Sequence, residues 1–130
     1  MKVVAAVIER DGQVLICQRK GGRQALKWEF PGGKVERDER PRDALARELR
    51  EELAIAATIG ELLHRVEVRY PKGPLIKLLF YHVTEFTGEP VNLQFERILW
   101  EHRAKLPSYD FLEGDIEFVR GLAREADSNA

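Results

Sequence analysis

Apolar and polar positions divide the chain into short extended runs on either side of one longer amphipathic segment. Val3 to Ile8 is an unbroken apolar run rich in β-branched residues and reads as a strand. Asp11-Gly12 signals a hairpin turn, so Val14 to Arg19 reads as the partner strand. Lys20 to Lys27 reads as a loop opened by Gly21-Gly22, and Trp28 to Phe30 is a brief extended piece leading into Pro31-Gly32-Gly33. From Pro41 to Leu53 the period changes. Leu45, Leu49 and Leu53 recur every four residues, no Gly or further Pro interrupts them, and Ala, Leu, Glu and Arg are good helix formers. Pro41 suits the first turn of that helix, where its missing N–H is not needed. Thr58 to Tyr70 alternates loosely and predicts a strand, Pro71 to Pro74 a turn, Leu75 to Phe86 a longer strand, and Gly88-Glu89-Pro90 a break. Phe95 to Glu101 predicts the last strand. Ile116, Val119, Leu122 and Ala123 predict a second helix from Ile116 to Arg124, and Ala126 to Ala130 reads as a frayed tail. Strands bracketing one mid-chain helix, with another helix at the end, predict an α/β fold with a mixed sheet between helices. No internal repeat or long linker divides residues 1–125, which read as a single domain.

Composition narrows the function classes. A chain of 130 residues has length for a real core. Its 21 Lys and Arg are interspersed with 22 Asp and Glu, so no basic face offers itself to duplex nucleic acid. No stretch approaches membrane-spanning length. The apolar start is too short for a secretory core and is closed by Glu9, Arg10 and Asp11, so the expected compartment is the cytoplasm. The single Cys17 has no partner for an intramolecular disulfide and reads as a small packing residue. His64, His82 and His102 are scattered without metal-ligand spacing, and no Ser-His-Asp arrangement can be argued.

The chemistry concentrates between Gly33 and Ile55. Glu48, Glu51 and Glu52 are spaced i, i+3, i+4, so on a helix they share one arc beside the leucine stripe. Like charges at that spacing destabilise a helix by a few tenths of a kcal/mol, roughly, and a divalent cation reverses the sign. Mg²⁺ prefers oxygen ligands and shares a few carboxylates with substrate phosphates. The other reading is a solvated acidic face laced with pairs such as Arg47–Glu51. The fixed distance from a Gly-rich loop favours the metal site.

Gly33, Glu39 after five residues, then Arg47, Glu48, Glu51 and Glu52 after seven more, fit the Nudix box, and the chain resembles a Nudix hydrolase. Six such matches arise by chance about once in ten million start positions. The family usually has Gly where this chain has Ala54. If φ there must be positive, Ala costs about 1 kcal/mol. The run Trp28 to Glu36, the early VVAAVIERDGQVLICQR and the late ILW resemble the MutT-like subgroup of nucleoside triphosphate pyrophosphohydrolases.

The resemblance implies the Nudix α/β/α sandwich. It also implies Mg²⁺, with Mn²⁺ as the alternative ion, on Glu48, Glu51, Glu52 and the carbonyl of Gly32. Glu48 is the first candidate for general base and Glu51 the second, with Arg47 orienting Glu39 or Glu51 through a bidentate pair. A further metal-binding glutamate is expected about six residues before Trp100. Gln94 stands there, with Glu96 two residues on, and a strand would put both on one face. For the nucleotide, the resemblance implies Arg19 as a contact, Phe30 as a stacking platform and Asp115 at the base edge. From its position alone, Asp115 is equally suited to cap the second helix. A carboxylate at the base edge accepts hydrogen bonds when ionised and donates only if burial raises its pKa. The implied activity is hydrolysis of small modified nucleotides, such as 8-oxo-dGTP or cytidine nucleotides, to monophosphate and pyrophosphate, a nucleotide-pool sanitation role. Such an enzyme is a monomer or homodimer with no membrane or duplex partner. The alternatives are a Nudix hydrolase of ADP-ribose, a dinucleoside polyphosphate or a nucleotide sugar, and a non-catalytic nucleotide-binding Nudix domain.

Overall fold

The computed structural model describes residues 1–128. Strands β1 (Lys2–Arg10) and β2 (Gln13–Gln18) are joined at Asp11-Gly12, where both residues take positive φ, 53° and 76°. That pair of left-handed residues matches the twist of the flanking strands and sets the register at Arg10 opposite Gln13. Then follow β3 (Trp28–Glu29), β4 (Gly32–Lys34), helix α1 (Pro41–Leu53), β5 (Ala56–Thr58), β6 (Leu62–Arg69), β7 (Leu75–Val83), β8 (Glu85–Thr87), β9 (Arg97–His102) and helix α2 (Ile116–Ser128). Seven strands form one sheet in the order β3-β2-β1-β7-β6, with β4 also paired to β1 and β9 to β2. β1 and β7 run parallel and the other pairs antiparallel, so the sheet is mixed.

The unbroken apolar run of β1 has a direct cause: both of its faces are covered. Val4, Ala6 and Ile8 pack with Leu45, Leu49 and Leu53 of α1. Ala5 and Val7 pack with Phe118, Val119 and Leu122 of α2 on the other side. The result is the expected α/β/α sandwich. Among the described residues no helix is long and apolar enough to cross a membrane.

The structure corrects several boundaries. Thr58 to Tyr70 is not one strand. Ala56–Thr58 leaves to pair with Glu85–Thr87 in a separate two-stranded sheet, and the main-sheet strand begins only at Leu62. Gly60 sits between them because a Cβ there would lie 2.6 Å from the carbonyl oxygen of His82. The same exchange shortens the expected Leu75 to Phe86 strand to β7 and gives its end to β8. Gly32–Lys34, expected as loop, pairs with Val3 to Ala5. The last strand begins at Arg97 rather than Phe95. Two 3₁₀ turns, Arg103–Ser108 and Glu113–Asp115, were not foreseen. α2 continues through Ser128 over part of the expected tail, whose last two residues lie outside the described residues. α1 ends on Ala54 at φ 57° and ψ 34°, its N–H donating to the Arg50 carbonyl, so the left-handed cap is made by Ala at a cost of about 1 kcal/mol.

Candidate active site

α1 is fixed by its buried stripe of Ala44, Leu45, Leu49 and Leu53, which leaves Glu48 and Glu52 facing the Gly32-Gly33 corner of β4. Both glycines are required by close approach. A Cβ on Gly32 would lie 1.9 Å from the Val4 carbonyl oxygen, and one on Gly33 would lie 2.5–2.7 Å from the Glu48 carboxyl atoms. The Gly32 N–H donates to Glu52 Oε1 at 3.0 Å. Arg47 organises the acids around it. Its Nε and Nη2 donate to the two oxygens of Glu39 at 2.9 and 3.0 Å, and its Nη1 donates to Glu48 at 2.9 Å and Glu51 at 3.3 Å. The bidentate partner is therefore Glu39. Its carboxyl is held down to about 2, first by Arg47 and then by the Glu36 N–H.

The other acids move the opposite way. Glu52 is only 7% exposed, and burial first, then the charges of Glu48 and Glu29, push its carboxyl up to about 8. Burial also raises Glu48, against the pull of Arg47. Glu51 differs: its side chain is 58% exposed, reaches Arg47 and does not line the cavity. Among the described residues no three His, Cys, Asp or Glu side chains converge on one point as a ligand set. The donors that do face the cavity from α1 are two carboxylates, the hard oxygen ligands that suit Mg²⁺ when substrate phosphates complete its shell.

These carboxylates line a cavity of about 610 Å³ from the α1 side. Leu112, Gly114 and Asp115 line it from the start of α2, and Val68, Ile76 and Leu78 add apolar lining. Phe30 lines this cavity but is 3% exposed, its ring against Phe80, Phe111 and Phe118, so it is a core residue as well as a wall. Asp115 is 5% exposed. Among the described residues its side chain caps no helix N–H; only its backbone N–H bonds, to the Leu112 carbonyl at 2.9 Å. Burial and then Glu29 push its carboxyl up to about 8, with Arg19 opposing.

Arg19 lines the cavity and pairs with Glu29 at 3.3 Å. Glu29 is a wall residue that sequence reasoning passed over, and burial raises its carboxyl too. Its signal was an acid set between two aromatics, Trp28 and Phe30, in a strand. Glu96 is not brought to the cavity, whereas Gln94 is. The expectation of a shared strand face fails because residues 92–95 form a turn, in which Asn92 Oδ1 accepts from the N–H groups of Gln94 and Phe95 at 3.2 and 2.7 Å. Cys17 is fully buried, its thiol pushed well up by burial. None of the three histidines lines this cavity: His64 stacks on Phe118, and His82 Nε2 lies 2.8 Å from Glu9.

Comparison with known proteins agrees with this fold. A family model described as NUDIX domain matches residues 1–122. A CTP pyrophosphohydrolase of Escherichia coli is 42% identical, over 98% of both chains. An 8-oxo-dGTP diphosphatase of Haemophilus influenzae is 35% identical, over 96% of this chain and 93% of the relative. The solution structure of the E. coli ORF135 protein superposes with a TM-score of 0.87 at 40% identity, covering 98% of this chain and 91% of that one. A MutT NUDIX hydrolase from Burkholderia pseudomallei gives 0.81 at 30% identity, with 95% of each chain covered.

Proposed function

The chain belongs to the NUDIX family, and from that premise we propose that it hydrolyses nucleoside triphosphates, cytidine nucleotides foremost and 8-oxo-dGTP as the second substrate, to the monophosphate and pyrophosphate. The observation that carries this reading is that Glu48 and Glu52 of α1 line the same cavity as Asp115 at the start of α2. Nudix hydrolases act with a divalent metal. Here Glu48, Glu52 and the Gly32 carbonyl would hold Mg²⁺, or Mn²⁺ in its place. When bound there, such an ion would supply neutralisation of charge on the diphosphate bridge and a more acidic water.

The chain's own groups do the rest. Glu48 is the general base: its carboxyl stands against the Gly33 backbone in the cavity, burial raises it from its ordinary value, and Arg47 fixes its orientation. Asp115 reads the base edge. With its carboxyl raised to about 8 it is neutral at pH 7 and offers one donor and one acceptor, which complement the N3 acceptor and amino donor of cytosine. Arg19 pairs with Glu29 beside it at 3.3 Å and opposes the rise that burial imposes on its carboxyl. Phe30 supplies apolar wall to any base.

The test is hydrolysis of CTP and 8-oxo-dGTP in ¹⁸O-water with excess Mg²⁺. Attack at the β-phosphorus places the label in pyrophosphate and none in the monophosphate. Orthophosphate with a nucleoside diphosphate as products refutes the proposal, and turnover of only ADP-ribose or a nucleotide sugar assigns the site to another Nudix substrate.

A further inference from the structure

The cavity carries a cation that the catalytic reading leaves without a role. Lys20 lines the cavity one residue beyond Arg19. Arg19 is occupied by Glu29, but among the described residues no carboxylate lies within ion-pairing reach of Lys20. Its backbone origin is fixed. The Arg19 N–H donates to the Lys27 carbonyl at 2.9 Å and the Leu26 N–H to the Arg19 carbonyl at 3.0 Å, pinning the loop at its base. Gly21 and Gly22, at φ 69° and 79° in open space, then turn the chain away.

Backbone pairing places Lys20 within the cavity. The β2–β9 ladder ends at Gln18 opposite Arg97, and the Glu96 N–H donates to the Gln18 carbonyl at 2.9 Å, which ties the chain just before Lys20 to the 92–95 turn. Gln94 and Phe95 also line the cavity, and the Leu93 N–H beside them donates to the Glu52 carbonyl at 3.0 Å. Lys20 is thus tied, through the 92–96 segment, to the side of the cavity that Glu52 lines. A long, unpaired ammonium there suits a group of high negative charge whose position varies slightly, and Gln94 beside it offers N–H donors without a repelling charge.

The geometry points to Lys20 as the residue that binds the terminal phosphates of the substrate, the pair released as pyrophosphate, and so sets the preference for triphosphates over shorter nucleotides. This rests on the reading that the cavity takes a nucleoside triphosphate. Lys20 acts by binding and neutralising phosphate charge; it carries no proton or covalent step.

Phosphate and base contacts can be probed separately by measuring equilibrium binding of inorganic pyrophosphate and of CMP, each in saturating Mg²⁺, to the intact protein and to Lys20→Gln, Lys20→Arg and Arg23→Gln. Arg23 lies on the same exposed loop but does not line the cavity, so it controls for a general field effect. Lys20→Gln is expected to weaken pyrophosphate by about tenfold, the size of one charge-assisted contact, and CMP by less than about twofold. Lys20→Arg restores most of the loss, Arg23→Gln changes neither ligand, and KM for CTP rises in Lys20→Gln while kcat holds. Equal weakening of both ligands, unchanged pyrophosphate binding, or an Arg23→Gln effect as large as that of Lys20→Gln overturns the assignment. If the intact protein fails to hydrolyse CTP and 8-oxo-dGTP, the triphosphatase reading falls, while the pyrophosphate and CMP comparison still decides whether Lys20 is an anion contact.

Discussion

Glu52→Gln separates the cost of a buried carboxyl from its use. The folded chain holds a proton on Glu52 up to about pH 8, against an ordinary value of 4.5. Below pH 4.5 both folded and unfolded chains are protonated there. Between 4.5 and about 8 only the folded chain is, so in the absence of metal stability falls as pH rises across that window and levels off above it. At about 1.36 kcal/mol per unit, the full span sets an upper bound of about 5 kcal/mol. Gln keeps an oxygen to accept the Gly32 N–H and has no proton to lose, so the variant should lose Glu52's share of the slope, falling less steeply than the parent while Asp115 still titrates, and should exceed the parent's stability at high pH. Activity should move the other way, with kcat down at least about a hundredfold, as expected for loss of a ligand-type group. The parent's Mg²⁺ affinity should rise about tenfold per pH unit below pH 8, because the ion displaces one proton. Thermal melts in chelator at about pH 6 and pH 9, with turnover at limiting Mg²⁺, make the test. Near-normal turnover in the variant, or parallel pH slopes for the two proteins, refutes the reasoning.

Gly33→Ala should cost about ten- to a hundredfold in kcat with little change in melting temperature, because the added carbon collides with the movable end of Glu48 rather than with backbone; unchanged kcat would dissociate Glu48 from catalysis. Ala54→Gly should raise stability by up to about 1 kcal/mol, seen as an upward shift in a thermal melt, by relieving the left-handed cap. Phe30→Ala should lower stability by about 3–5 kcal/mol and kcat/KM for all bases together, whereas a selective loss for one base would make Phe30 a reader of the base. In Asp115→Ala the loss of kcat/KM should be unequal across bases and greatest for the preferred one; a variant that alters only the melting temperature would remove Asp115 from the base pocket.

Local chemistry explains which parts could be read in advance. α1 was legible to the residue because Pro41 starts it and an uninterrupted leucine stripe runs to Leu53. The box acids followed from spacing alone, yet spacing could not show that Glu51 turns outward while Glu48 and Glu52 face the cavity. The exchange of Ala56–Thr58 and Glu85–Thr87 into a second sheet was hidden because alternation reports a strand but not its partner. Gly60 was the available clue. Glu96 was misplaced because strand periodicity was carried into a turn, although Asn92 two residues before Gln94 is the kind of side chain that closes one. The alternatives for Asp115 could be separated only by its surroundings, since both place an acid at the start of α2.

The cavity's charge balance ties the α1 acids to Asp115. Glu29, Glu48, Glu52 and Asp115 are all raised by burial, and the Glu29 charge adds to the rise at both Glu52 and Asp115. Without ligands the site holds more carboxyl groups than its low-dielectric walls let ionise, so some remain protonated. The two protons at about pH 8 have opposite value to the reaction. In the proposed reaction the one on Glu52 must leave before a cation can bind, while the one on Asp115 would be the donor to cytosine N3. Rising pH therefore strengthens the metal site as it removes the donor at the base edge. For a cytidine nucleotide these effects oppose each other, and kcat/KM passes through a maximum near the shared value. A base that meets Asp115 through a donor, such as the N7–H of 8-oxoguanine, gains from both ionisations and stays favoured above it. The ratio of cytidine to oxoguanine turnover must then fall as pH climbs through about 8, and the fall must vanish in Asp115→Asn, which keeps a donor and an acceptor at every pH.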